Sequence, residues 1–158
     1  MDGYVLSVDR VIAAPPAELF AIVADANRHP EIDGSGSVIK TKAGTPDTLT
    51  LGSKFGMSMK AGVSYSMQNT VVEYEPERRI AWRTGSGGPL SRLVGGRIWR
   101  YDFEPVDGGT KVTESWDISR DKQRAIFKRI GKISQDAVTS MTKTLERLAE
   151  ITEPSATP

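Results

Sequence analysis

Asp121 to Thr152, which reads DKQRAIFKRIGKISQDAVTSMTKTLERLAEIT, decides the fold. Ile126, Ile130, Ile133, Ala137, Met141, Leu145 and Leu148 recur there at spacings of three and four. That period predicts one long amphipathic helix whose apolar face runs for about six turns. Its start is crowded with Arg120, Lys122, Arg124, Lys128, Arg129 and Lys132. Cations there oppose the helix dipole by a few tenths of a kcal/mol each. They read as a solvated helix face or as a docking patch, either for an anionic ligand head or, at Lys122, Arg124 and Lys128, for an acidic protein partner.

Upstream the period changes. Tyr4 to Ala13 interleaves Val5, Leu6, Val8, Val11 and Ile12 with Ser7, Asp9 and Arg10, which predicts a strand. Ala14-Pro15-Pro16-Ala17-Glu18 then opens a helix expected over Pro15 to Asn27, since proline and an early Glu both suit a first turn. Leu19, Ile22, Val23 and Ala26 fall on its inward face. Asn27-Arg28-His29-Pro30 ends it, because the residue before proline is pushed out of the helical region. Glu31-Ile32-Asp33-Gly34 follows as a short turn or helical segment. Strands are then expected over Gly36–Ala43, Leu49–Lys60, Val63–Tyr74, Arg79–Thr84, Arg97–Pro105 and Thr110–Ser119. Lys60-Ala61-Gly62 and Val106-Asp107-Gly108-Gly109 suit tight hairpins and Glu75-Pro76-Glu77-Arg78 a short loop, so the strands read as an antiparallel meander. Gly85 to Gly96, with five glycines and a proline, is the longest connection and reads as a surface loop or a mobile lid. A sheet with one hydrophobic face, closed by one long helix, tends to leave a concavity between the two.

Composition narrows the function classes. A chain of 158 residues with 38% apolar and 26% charged residues suits one soluble domain, expected over residues 1–152 with a disordered tail over 153–158. A net charge of +1 gives no global field toward nucleic acid. The lack of cysteine removes disulfides, thiolate nucleophiles and Cys–zinc sites together. His29 is the only histidine, so neither an ordinary zinc site nor a nucleophilic triad has its parts, and His29 itself reads as a structural or surface residue. Gly85-Ser86-Gly87-Gly88-Pro89 lacks the Lys and Ser/Thr that complete a phosphate loop. No metal and no cofactor are therefore expected. Met1-Asp2-Gly3-Tyr4 lacks the basic and apolar regions of a signal peptide, and no apolar run approaches the roughly 20 residues of a membrane span. A cytoplasmic location without a transmembrane segment is the expectation.

Three stretches carry a family resemblance: Val8-Asp9-Arg10-Val11-Ile12-Ala13-Ala14-Pro15-Pro16-Ala17-Glu18-Leu19-Phe20, Val72-Glu73-Tyr74-Glu75-Pro76-Glu77-Arg78-Arg79-Ile80-Ala81-Trp82, and Phe103-Glu104-Pro105-Val106-Asp107-Gly108-Gly109-Thr110-Lys111-Val112-Thr113. With them the chain, from about Tyr4 to Ile151, resembles the START-related superfamily of polyketide cyclase/dehydrase-like and lipid-transfer-like proteins. The resemblance implies an α+β helix-grip fold: a curved antiparallel sheet of six to seven strands wrapped around a long C-terminal helix, with short helices after the first strand. It also implies a cavity used for lipids, sterols, polyketides or hormones. Such stretches specify shape rather than chemistry, and one fold hosts unrelated functions.

Strand parity nominates the residues that would line such a cavity. Phe55, Met57 and Met59 share a face opposite Lys54, Gly56, Ser58 and Lys60. Val63, Tyr65, Met67, Asn69 and Val71 continue it on the hairpin partner. Trp99, Tyr101 and Phe103 share a face, as do Val112, Glu114, Trp116 and Ile118, while Trp82 pairs in parity with Ile80. With Met141 from the helix, these give adaptable methionine and aromatic walls suited to a flat or flexible apolar ligand; for any one residue plain core packing is the better explanation, and the case for a cavity rests on the set as a whole. Glu114 is the most informative position. Parity puts its carboxyl between Val112 and Trp116 on an apolar face, where desolvation would keep it protonated, ready to act as a general acid or to anchor a ligand hydroxyl. A salt bridge to an arginine, or a bulge that turns it outward, is the alternative. Arg97 shares the parity of Trp99 and would face a pocket mouth, and Asn69 would add hydrogen-bonding capacity.

The leading reading is the binding or transport of a small hydrophobic ligand, lipid or polyketide-like, in an internal cavity. The alternative is a cyclase or dehydrase acting on a poly-β-carbonyl chain, with Glu114 and Tyr65 as catalytic candidates and no visible catalytic motif. A second alternative is a protein-interaction or stress-response module.

Overall fold

A computed structural model of the chain describes residues 4–36, 38–41, 44–61, 63–85 and 93–153, and of residues 39–41, 57–61 and 63–66 the backbone alone. Seven antiparallel strands form one sheet: β1 (Val5–Ile12), β2 (Val38–Thr41), β3 (Lys54–Ala61), β4 (Val63–Glu75), β5 (Arg79–Gly85), β6 (Gly95–Val106) and β7 (Gly109–Asp117). Their order is β1-β7-β6-β5-β4-β3-β2, so β2 to β7 run as the expected meander and β1 closes onto the last strand. The link from β1 to β2 must therefore cross from one sheet edge to the other. It does so as α1 (Pro16–Val23), a 3₁₀ turn (Ala26–Arg28) and α2 (His29–Ile32). Leu19, Phe20, Ile22 and Val23 of α1 are buried in one core with Ile12, Ile80, Phe103 and Val112 of the sheet and Leu145, Leu148 and Ala149 of the C-terminal helix. Phe20 meets Tyr74 and Phe103 edge-on at 5.7 and 5.6 Å.

Three sequence expectations need correction. The first helix stops at Val23 rather than Asn27, and His29 opens α2 in helical geometry (φ −56°, ψ −38°) despite the proline after it. Pro30 lies in the first turn of α2, where its missing N–H costs nothing, and the buried His29 ring is tied to the Val23 carbonyl. The strand expected from Leu49 begins at Lys54. Gly52 turns the chain with φ +84° and Ser53 Oγ accepts from the Thr50 N–H at 2.9 Å, which leaves Leu49 buried in a loop. The single helix over Asp121–Thr152 is two: α3 (Arg124–Arg129) and α4 (Gly131–Thr152), broken at Ile130 (φ −100°, ψ 90°). Ile126 and Ile130 consequently leave the apolar stripe and are 53% and 44% exposed, whereas Met141, Leu145 and Leu148 stay buried. A glycine directly after Ile130 and unfavourable cations at the helix start both weaken helix continuity here. The lid proposed within Gly85–Gly96 falls largely on residues 86–92, which lie outside the described residues, as does most of the tail at 154–158.

The face of the sheet away from α1 and α4 carries charge pairs. Arg100 donates to both carboxylate oxygens of Glu73, at 2.8 and 2.6 Å, while Arg79 pairs with Asp102. The Arg100 hydrogen bonds hold the Glu73 carboxyl below its usual range. Glu73→Gln is expected to cost about 1 kcal/mol at pH 7. A depressed carboxyl contributes stability above its unfolded pKa and loses it as pH falls through the folded one. Urea melts should therefore separate the two proteins at pH 7 and superimpose them well below pH 4.5.

Candidate functional site

The hairpin between β6 and β7 sets the register of the site. Val106 sits opposite Gly109, with Gly108 at φ +87° in the two-residue turn. Stepping back along β6 and forward along β7 then pairs Phe103 with Val112, Tyr101 with Glu114 and Trp99 with Trp116, with no register shift. All six side chains point to the face covered by α1 and α4, because residues opposite each other in a ladder share a face.

Glu114 is 3% exposed and Tyr101 5%. The Tyr101 hydroxyl donates to Glu114 Oε1 at 2.8 Å. Glu114 Oε2 is buried and, among the described residues, has no hydrogen-bond partner. Desolvation is the main reason its carboxyl is pushed up to about 8; the Tyr101 bond opposes the shift and the charge of Asp33 adds to it. The same burial, with the neighbouring Glu114 carboxyl, holds the Tyr101 phenol well above its ordinary value. At neutral pH the pair is therefore uncharged. One proton belongs to Glu114, and with Oε1 accepting from Tyr101 the free position at Oε2 is a hydrogen-bond donor.

Aromatic rings extend from this pair across the sheet. Tyr101 lies 5.6 Å from Trp82, Trp82 meets Phe55 edge-on at 5.5 Å, and Trp99 lies 6.1 Å from Trp116. His29 completes the set, stacked on Trp82 at 5.0 Å and edge-on to Phe55 at 5.6 Å. Its Nε2 lies 2.7 Å from the Val23 carbonyl, an acceptor, so Nε2 carries a proton. Desolvation by burial lowers its pKa, which makes it a neutral member of the wall.

Among the residues nominated from sequence, the structure brings Glu114, Tyr101, Trp82, Phe55, Trp99 and Trp116 into this connected set. Met141 packs with Trp116 in a neighbouring cluster, together with Ile118. Asn69 is buried but its Oδ1 accepts from the Thr84 hydroxyl at 2.7 Å, and Met67 is half-buried. Arg97 turns to other work: its Nε and backbone N–H both donate to the fully buried Asp121, and its guanidinium lies 4.8 Å over the Phe127 ring. The side chains of Met57, Met59 and Tyr65 lie outside the described residues. The hydroxyl that meets Glu114 is thus Tyr101's. Counting from the turn at Asp107-Gly108 would have found that pair, since a two-residue loop fixes which residues face each other. No local signal could have found His29, whose place depends on the path of the chain from Val23 across the sheet. Among the described residues no group of three or more His, Asp or Glu is arranged to hold a metal, and no helix is long and apolar enough to cross a membrane.

The model of the family described as polyketide cyclase / dehydrase and lipid transport matches residues 5–153. A crystallised protein of Chromobacterium violaceum is similar in fold, with a TM-score of 0.70 at 16% identity over 96% of this chain and 99% of that one. The major latex-like protein 151 of Panax ginseng is similar with a TM-score of 0.68 at 13% identity over 95% of this chain and 97% of that one. An uncharacterised protein of Mycobacterium tuberculosis is 42% identical over 108 residues, which is 67% of this chain and 44% of that protein. The chain thus spans less than half the length of the curated relatives it matches. The helix-grip fold and the family match together support a ligand-binding role.

Proposed function

The chain belongs to the polyketide cyclase/dehydrase and lipid transport family, and from that premise we propose that it binds or carries a small hydrophobic ligand, lipid or polyketide-like, in an internal cavity lined by the Glu114–Tyr101 pair and its aromatic neighbours. The observation that carries this reading is Glu114 Oε2, a buried polar atom without a partner among the described residues. Leaving such an atom unpaired costs about 1–3 kcal/mol, a cost that a ligand oxygen would remove. A protonated carboxyl donates to an uncharged carbonyl or hydroxyl oxygen, so the ligand has one such oxygen on an otherwise apolar body. The aromatic wall suits that body.

The test uses Nile red, an uncharged apolar dye with one carbonyl acceptor, alongside native mass spectrometry of whatever co-purifies. The native protein should take up the dye. Glu114→Leu should weaken uptake about tenfold, the loss of one hydrogen bond. Glu114→Gln, which keeps a donor, should come close to the native affinity. Raising the pH through about 8 removes the Glu114 proton, so native affinity should fall there while the Gln variant stays level. Failure of the native protein to take up the dye, together with an empty mass spectrum, would sink the reading.

A second reading, cyclase- or dehydrase-type turnover of a poly-β-carbonyl substrate, is favoured by the same acid. A carboxyl that titrates near neutrality is suited to general acid–base work. Under that reading Glu114→Gln still binds a poly-β-carbonyl chain but no longer converts it, a split that simple carriage does not produce.

A further inference from the structure

The break between α3 and α4 leaves a surface that the ligand site does not use. Residues 120–132 contain six cations, Arg120, Lys122, Arg124, Lys128, Arg129 and Lys132, and all six are exposed. The one acid among them, Asp121, is fully buried and spent on Arg97, so this stretch presents a single sign of charge to solvent. Ile126 on α3 and Ile130 at the break just after it, its N–H donating to the Ile126 carbonyl, stand 53% and 44% exposed among these cations. Leu93, 69% exposed, stands two residues before Gly95, whose carbonyl accepts from the Lys122 N–H, so its loop is fastened to the stretch that leads into α3. Two of the seven large apolar side chains exposed among the described residues thus fall within this basic stretch, and a third stands on the loop bonded to its start. Scattered exposed apolar residues need no explanation, but a cluster ringed by charge does.

We infer that this face, α3 with Leu93, docks on an anionic lipid surface, the isoleucines and leucine entering the headgroup boundary while the cations meet lipid phosphates and carboxylates. A short basic-and-apolar helix lying in the interface is built in this way, with long cationic stems reaching past the apolar side chains. Three of the six cations are lysines, which protein–protein interfaces tend to exclude and anionic bilayers attract. The rest of α3 ties the patch to the protein interior. Phe127 turns inward, 5.7 Å from Trp116 and beneath the Arg97 guanidinium, and Lys128 lies 4.4 Å over the Tyr4 ring. None of α3 is fully buried and its first residue has no side-chain cap, so the segment is held mainly by these contacts. The docking surface stands independently of what, if anything, is bound inside.

Co-sedimentation of the full chain with vesicles of phosphatidylcholine alone, or mixed with phosphatidylserine, tests the inference. Binding is expected to the mixed vesicles, to weaken steeply with salt, and to be slight on phosphatidylcholine alone. Arg129→Gln with Lys132→Gln should weaken it about thirtyfold, given the usual contribution of a cation near such a surface. Ile126→Ser should weaken it about tenfold, the expected effect of withdrawing one large apolar side chain. All three positions are exposed, so thermal melts should show the variants as stable as the native protein. Equal binding to both vesicle types, or none to the mixed vesicles at low salt, overturns the inference. So does polyglutamate binding as tight as that to vesicles with no effect of Ile126→Ser, which would mark the patch as a site for an acidic polypeptide.

Discussion

Gly34→Ala lowers the stability of the protein by about 3 kcal/mol, a fall in melting temperature of roughly 6–12 °C. The reason is a backbone-to-backbone approach. A methyl group on Gly34 would stand 2.0 Å from the Ser140 carbonyl oxygen, 2.6 Å from the Thr144 backbone nitrogen and 2.8 Å from Lys143 Cβ, all on α4. Two of those three atoms are backbone, so no rotamer change makes room. The contact is also polar. The Gly34 N–H donates to Thr144 Oγ1 at 3.0 Å, that hydroxyl donates to the Ser140 carbonyl at 2.9 Å, and Arg147 donates to the Asp33 carbonyl. Moving the chain away from α4 would break this chain of bonds at once. Gly131→Ala is the control: its Cβ meets nothing within 4 Å, and alanine favours helix where glycine does not. Equal melting temperatures for the native protein and Gly34→Ala would show that the approach is looser than these distances. The effect also reaches the site, because α2, which carries His29 against Trp82, ends at Ile32, two residues before Gly34.

Where sequence reasoning reached this site, it did so through regular strands. β6 and β7 pair from Ile98–Asp117 to Val106–Gly109 without a shift, so parity alone placed Glu114 beside Val112 and Trp116 on the covered face. Where a strand is irregular the same reasoning fails. A register shift between Val71 and Glu73 lets both Val71 and Tyr74 face the core, although they are an odd number of residues apart. Glu73 is thereby turned to the opposite face, onto Arg100. The helical stripe misled in another way. Its period runs unbroken through Ile126 and Ile130, because hydrophobic spacing records what a helix would bury and not whether the backbone stays helical. His29 shows a third reason: one histidine without partners in the sequence gives no sign of the two aromatic rings that the fold sets against it. Arg97 had the right parity for a ligand-facing cation, and a buried aspartate 24 residues later took it. Local pattern thus locates walls well, and tertiary pairing decides which polar groups remain unengaged.

That distinction makes Glu114 the strongest single test of the site, through the pH dependence of folding. An unfolded chain releases the Glu114 proton near pH 4.5, whereas the folded protein holds it to about pH 8. For a carboxyl whose folded pKa is raised, the stabilisation is complete below the unfolded value and is lost as pH rises toward the folded one. Between those limits the native state binds one proton more than the unfolded state, so each pH unit costs about 1.4 kcal/mol. Integrated over the window, the loss is on the order of 5 kcal/mol, after which the curve is level above about pH 8. Glu114→Gln keeps an oxygen for the Tyr101 hydroxyl and cannot ionise, so this slope should be missing from its stability. Denaturant melts of both proteins at pH 5, 6, 7 and 8 would read it directly. The variant should gain on the native protein at each step, while the Glu73 contribution, which titrates below pH 4.5, leaves the comparison untouched. Parallel curves would mean that Glu114 is already ionised in the folded protein. A solvated or counter-charged carboxylate at that position would have no proton to offer a ligand oxygen. The slope therefore bears on the chemistry of the site as well as on stability, because the desolvation that makes the folded protein retain this proton is also what leaves Oε2 a donor at neutral pH.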